Sequence, residues 1–349
     1  MESPTLAHWV GDVESFADHR WQREPAVFTP QAPAPPFDLD ALDDAFDGGL
    51  LRTPYLEMVR SDKVTVPAEA FTTPRVVNGV TYEGFADRVK VLARLRTGAT
   101  LLLRCVDQWH RPTGELVTRL SEELDRRVEA FFFLTPAGSQ GLAVHRDDAD
   151  VFVLQTAGRK TWYVHDAPAT PDWSLGELPD DEHSPQRLRR VLEPGDVLYV
   201  PRGFAHRAVG AGGLSAHLSL TVRDLSLDDL RTALARRLAE GLDLPARPLG
   251  QAAIADACAT LLGHARTRLD TVEPGDLLRA ARAARPSSAQ PASPDAPAAR
   301  RGPGTATEPE TFAGTAQAWE TGGPGTGRAG LGSVGRTWRR LRDAARAAD

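Results

Sequence analysis

The 349-residue chain is poor in cysteine, methionine and lysine, and it has no long apolar run. Cys105 and Cys258 are its only cysteines. Two cysteines give no disulfide framework and no cysteine zinc site, and no secretory signal precedes them, so the cytoplasm is the expected compartment. No segment is apolar over a membrane-spanning length, so no membrane association is expected. A net charge of −6 argues against a generalised nucleic-acid-binding surface, and no direct nucleic-acid contact is expected. Lysine is the sharpest shortage: Lys63, Lys90 and Lys160 stand against thirty-eight arginines. In a chain so biased, a surviving lysine marks a place where a compact ammonium serves better than a guanidinium.

What is present is a 41% hydrophobic composition, enough for a sizeable core, and a length that holds two domains plus a tail. Residues 1–100 read as N-terminal helical and strand elements that pack on a barrel. They include short helical signals in 1–30, a proline-rich connector from Pro30 to Pro36, and helices over Leu39 to Leu51 and Tyr82 to Leu95. Residues 101–224 read as the barrel. It begins with a strand over Leu101 to Val106 and a helix over Glu115 to Val128. Short strands follow at Ala130–Thr135, Val151–Gln155, Thr161–Val164, Arg189–Leu192, Asp196–Val200 and Leu214–Val222, with glycine- and proline-rich turns between them.

Residues 225–285 read as helical. One stripe runs through Leu227, Leu230, Leu234 and Leu238, and a second through Ile254, Cys258, Leu261 and Leu262; together they motivate a homodimer. Residues 286–335 are low-complexity and too poor in apolar surface to order themselves. Residues 336–349 have the spacing of a short basic helix through Trp338, Leu341 and Ala345.

Chemistry concentrates in His145-Arg146-Asp147 and in Gly195 to His206. An H-x-D triplet alone is common on surface loops. The second segment, however, has the form G-x5-P-x-G-x2-H, whose glycines and proline turn a strand back into a barrel with His206 aimed inward. Alternation along a strand puts residues i and i+2 on one face, so His145 and Asp147 share the lumen. Two imidazoles and one carboxylate occupy one face of an Fe(II) octahedron and leave positions open for a co-substrate and oxygen.

These motifs resemble the two cupin motifs. The run Asp150-Val151-Phe152-Val153-Leu154-Gln155, followed by Gly158, Lys160 and Trp162, is similar to a segment of the JmjC-type ribosomal oxygenases. So are Leu134 to Gly141 and the early Trp21 and Pro25. The resemblance spans roughly residues 10–225. It implies a mainly β double-stranded β-helix (a jelly-roll cupin of the JmjC type) with flanking helices and a helical C-terminal region.

It further implies an Fe(II)- and 2-oxoglutarate-dependent oxygenase, with O2 as the second co-substrate. His145, Asp147 and His206 would hold the metal, Lys160 would grip the distal carboxylate of 2-oxoglutarate, and Thr221 and Phe133 would lie beside the co-substrate. The implied substrate is a protein or peptide side chain, with a ribosomal protein as first expectation. Three alternatives stay open: a small-molecule or peptide-tailoring hydroxylase, a JmjC-type demethylase, and a non-catalytic metal-binding cupin. The family's usual Asn and Tyr are replaced here by Phe131 and Phe133, and Arg146 stands where an aromatic is usual.

Overall fold

The computed structural model describes residues 6–30, 35–62, 66–179 and 185–284. Most of the proline-rich connector, Lys63, the low-complexity segment and the basic C-terminal segment lie outside the described residues.

The N-terminal elements are helices α1 (Leu6–Val10) and α2 (Val13–His19), strand β1 (Ala26–Phe28), helix α3 (Leu39–Asp47), strand β2 (Leu56–Val59), the hairpin β3 (Thr72–Val77) and β4 (Val80–Ala86), and helix α4 (Arg88–Arg96). Strand β5 (Thr100–Leu103) and helices α5 (Val106–Trp109) and α6 (Arg111–Leu124) come next. The barrel continues through β6 (Arg127–Thr135), β7 (His145–Arg146), β8 (Asp150–Ala157), β9 (Lys160–His165), β10 (Gly176–Glu177), β11 (Gln186–Leu192), β12 (Val197–Val200), β13 (His206–Gly210) and β14 (Ser215–Arg223). Helices α7 (Leu227–Ala239), α8 (Gly250–Leu269) and α9 (Pro274–Ala283) close the described chain.

Two antiparallel sheets face each other. One has the order β1-β12-β8-β14-β6-β5-β2 and the other β10-β7-β13-β9-β11, which makes the expected double-stranded β-helix. The N-terminal region supplies both edge strands of the larger sheet, so β1 and β2 are part of it.

The alternation of side chains divides the larger sheet into two environments. Phe132, Leu134, Phe152, Leu154, Tyr199, Leu218 and Leu220 point outward and join one core cluster with Trp9, Phe16, Phe37, Leu116 and Leu120 from the covering segments. Val151, Val153, Leu198 and Val200 point inward and pack with Trp162, Val164, Leu192 and Phe204 between the sheets. A one-residue slip in any strand would exchange these sets, so burial on both sides fixes the register.

The Asp150 to Trp162 run passes from β8 in the larger sheet to β9 in the smaller one, and β8 is anchored near both ends. Asp150 is buried and accepts from Tyr199 Oη at 2.5 Å, Gln22 Nε2 at 3.1 Å and the Arg202 amide at 3.2 Å. This ties the N-terminal segment to the barrel, and Trp21 stacks on Tyr199 beside it. At the other end Gln155 Nε2 donates to the carbonyls of Ala157 and Gly158 and to Ser215 Oγ, each at 2.9 Å. Gly158 has a φ of +55°, and a Cβ there would stand 2.2 Å from the Leu214 carbonyl oxygen. Only glycine fits that turn.

Three expectations need correction. Tyr82 to Leu95 is not one helix: β4 runs to Ala86, and Asp87 caps α4 by accepting from the Lys90 amide. Gly84 at φ +85° breaks any helix there, and Val89 is 57% exposed. The helix expected from Glu115 starts at Arg111 and ends at Leu124, and Val128 belongs to β6. The strand expected to reach Val106 stops at Leu103, and Val106 opens α5. The stripe on α8 is exposed in the single chain, at Ile254, Cys258, Leu261 and Leu262 alike.

Candidate active site: a metal triad and a buried lysine

Strand β7 is only two residues long, and His145 pairs directly with His206 of β13. Asp147 follows, its carbonyl accepting from the Gly203 amide at 3.0 Å. Gly203, at φ +82°, belongs to the P-x-G turn, so that turn holds both the aspartate backbone and the second histidine. The three side chains converge, with one ligand atom from each lying within 4.8 Å of the others.

Asp147 Oδ1 is 3.7 Å from His145 Nε2, and Oδ2 is 3.5 Å from His206 Nε2. These are too long for hydrogen bonds. They are near the spacing of adjacent ligands around one ion, which at metal–ligand distances of about 2.1 Å is roughly 3 Å. The donor chemistry also fits. His145 Nδ1 lies 2.9 Å from the Ala143 carbonyl and His206 Nδ1 lies 3.0 Å from the Phe204 carbonyl, so each ring places its proton on Nδ1 and its lone pair on Nε2 toward Asp147. Burial, with the neighbouring His145 adding to it, pushes His206 down to about 4, which keeps it in the neutral form that binds a metal.

A cavity of about 620 Å³ opens from this triad, and Lys160, Phe133, Thr135, Trp162, His217 and Thr221 are among the residues that line it. Lys160 starts β9 opposite Gly210, and Val164 of the same strand lies opposite His206. Four residues at about 3.3 Å each separate the two positions by roughly 13 Å along the strand. The lysine therefore lies along β9 from the His-Asp-His triad, with Trp162 between. Trp162 stacks near His206 at 6.0 Å and meets His217 edge-on at 5.3 Å.

Lys160 is 2% exposed. Its Nζ donates to Thr135 Oγ1 at 2.9 Å and lies 3.1 Å from His217 Nδ1. Both partners are neutral, and no carboxylate joins them among the described residues. Burial without a counter-charge pushes the ammonium down to about 7. A buried cation whose only partners are neutral, at one end of a cavity with a metal-ligand triad, suits a dicarboxylate that chelates a metal at its other end.

The sequence expectations are placed as follows. His145, Asp147 and His206 come together, and Lys160 and Phe133 line the same cavity. Phe133 stacks flat on His217, with ring centroids 4.8 Å apart and planes 6° from parallel. Thr221 is on the lumen face, as the alternation requires, but its hydroxyl donates to the Glu129 carbonyl at 3.4 Å. It lies four residues along β14 from His217, the residue that touches Lys160. Neither His217 nor Thr135 is among the residues that the sequence points to beside the lysine. The signal was that both are polar side chains on the inward-facing positions of strands whose outward positions are apolar.

A JmjC domain matches residues 109–230. The chain is 30% identical over 218 residues to ribosomal oxygenase 1 of Bos taurus, covering 60% of this chain and 31% of that protein. It is 44% identical over 108 residues to the bifunctional lysine-specific demethylase and histidyl-hydroxylase NO66 of Drosophila grimshawi, covering 30% of this chain and 15% of that protein. The chain thus spans a third or less of the length of these curated relatives. Among solved structures it is similar to the Escherichia coli ribosomal oxygenase YcfD in complex with cobalt and 2-oxoglutarate, with a TM-score of 0.49, 19% identity, and coverage of 77% of this chain and 69% of that one. Residues 109–230 thus carry the match to a JmjC domain, set in a double-stranded β-helix, and over part of its length the chain is similar to ribosomal oxygenases.

Proposed function

We propose that this protein is an Fe(II)- and 2-oxoglutarate-dependent hydroxylase. The observation that carries the reading is one cavity holding a His-Asp-His triad and a buried lysine with only neutral partners. Bound Fe(II) would couple the oxidative decarboxylation of 2-oxoglutarate by O2 to oxygen insertion into a substrate C–H bond.

The protein's share is positional. His145, Asp147 and His206 would hold the metal on one side and leave its other positions facing the cavity. Lys160 and Thr135 would bind and orient the distal carboxylate. The wall of Val151, Phe133 and Trp162 keeps the co-substrate chamber dry. Thr221 and Ser219 are proposed to line the route between co-substrate and substrate.

We place the substrate among protein side chains, with a ribosomal protein as the first choice, because the matched relatives are named ribosomal oxygenases. The demethylase and histidyl-hydroxylase name of the Drosophila relative keeps methylated lysine as a second class. Free Cys105 and Cys258 support a reducing compartment such as the cytoplasm. No helix among the described residues is long and apolar enough to cross a membrane. The exposed stripe on α8 supports a homodimer, and sedimentation showing only monomer would reject that part.

Succinate release tests the activity. Fe(II)-loaded protein given 2-oxoglutarate and O2 should release succinate, and a His145→Ala control should not. Equal release from both would remove the triad from the reaction. A gain of one oxygen atom in a ribosomal-protein peptide, seen by mass spectrometry and dependent on this protein, would identify the substrate.

A further inference from the structure

The buried lysine does not stand alone. Its ammonium has three N–H groups. One goes to Thr135 Oγ1 and one points at His217 Nδ1, which leaves the third without a protein partner among the described residues. Where the third can point depends on how firmly the other two are held. Thr135 Oγ1 is itself fixed by Thr100 Oγ1 at 3.1 Å. His217 is 3% exposed and held on two sides, with Phe133 flat on its ring and Trp162 against its edge.

The ring has one tautomer that suits this place. Nδ1 must present a lone pair to the ammonium, so the ring proton sits on Nε2. A charged imidazole would set two cations about 3 Å apart in a dry site, which the desolvation cost forbids. Burial, reinforced by the Lys160 charge, holds His217 well below the usual imidazole range.

We infer that His217 is a positioning residue for the co-substrate: as a fixed neutral acceptor it holds the Lys160 ammonium so that its remaining N–H faces the cavity. This rests on the hydroxylase reading for the identity of the anion, 2-oxoglutarate. The proposed role needs only an acceptor at the Nδ1 position. A packing role would need only the ring.

Two substitutions separate these roles. His217→Phe keeps a flat ring against Phe133 and removes the acceptor. His217→Asn gives up the ring but returns an acceptor, Oδ1, near the place of Nδ1. The measurements are the 2-oxoglutarate concentration for half-maximal succinate release and calorimetric binding of 2-oxoglutarate to the Mn(II)-loaded protein. We expect His217→Phe to weaken both by about tenfold, with kcat falling less than the half-saturating concentration rises, and His217→Asn to recover most of the loss. The melting temperature of His217→Phe should fall modestly, because a buried Lys160 N–H loses its acceptor, and His217→Asn should recover part of that fall.

Wild-type binding by His217→Phe would overturn the proposal, as would His217→Asn being the weaker binder of the two. Binding that follows the expected order without succinate release from the wild type would uphold the positioning role and remove the hydroxylase reading. Wild-type protein that binds no 2-oxoglutarate would overturn both.

Discussion

The two faces of the seven-stranded sheet are built from the same strands and do opposite work. On the outward face of β6, β8 and β14, Phe132, Phe152, Leu154, Leu218 and Leu220 are buried among helices and aromatic rings. On the inward face of the same strands, Phe133, Thr135, His217, Ser219 and Thr221 line a cavity. The outward face gains from complete packing. The inward face gives up packing to keep polar atoms and open space together, and it meets a lysine of β9, from the facing sheet, that costs stability where it lies. A mutation should therefore reveal its face by which quantity it changes, stability or ligand use.

The largest expected effect is on the inward side. Asp147→Ala should bring succinate release to background while shifting the melting temperature by no more than a few degrees. A large loss of stability instead would mean that the triad is a structural element. Next, Phe152→Ala on the outward face should cost about 3–5 kcal/mol of stability, measured by denaturant unfolding. The fraction that remains folded should need 2-oxoglutarate at wild-type concentrations, and a changed requirement would blur the two faces.

Lys160→Met should raise the 2-oxoglutarate requirement by about 10- to 100-fold, the range for a charged hydrogen bond lost from a dry site. It should leave metal binding nearly intact. The same variant carries a pH prediction. The Lys160 ammonium lies near 7 when folded, against an ordinary value of 10.5. Between those values the unfolded chain binds the extra proton, so this group makes the ligand-free protein more stable as pH rises from about 7 to 10.5. Lys160→Met should remove that contribution, and a wild type whose pH–stability curve matches the variant's would contradict the buried-cation account. Binding of 2-oxoglutarate should weaken over the same rise, because the neutral amine has no charge to offer. The smallest effect is expected at Thr221→Val, about threefold or less in the 2-oxoglutarate requirement, since its hydroxyl points to a backbone carbonyl.

The part of this division that was legible in the sequence is the part written in local alternation. Strands β6, β8, β9, β12 and β14 were read within a few residues of their ends. The alternation of His217, Ser219 and Thr221 with apolar residues is visible in the sequence, and the triad was legible through the G-x5-P-x-G-x2-H form around His206 and the i, i+2 spacing of His145 and Asp147.

What was not legible depends on distant pairing. β1 and β2 are three and four residues long and exist because they join β12 and β5. Tyr82 to Leu95 carries helical spacing through Phe85 and Leu92, yet pairing with β3 and the Asp87 cap divide it. The contact of Lys160 with His217 crosses 57 positions and leaves no local trace.

The central claim is that the triad and Lys160 bind the two ends of one co-substrate. Anaerobic titration of Fe(II)-loaded protein with 2-oxoglutarate, followed by visible absorption, tests it most directly. The account predicts a weak charge-transfer band that saturates at one equivalent per chain, is absent in His145→Ala, and saturates only at higher concentration in Lys160→Met. A wild type without the band, or a Lys160→Met variant that saturates with the wild type, would contradict it.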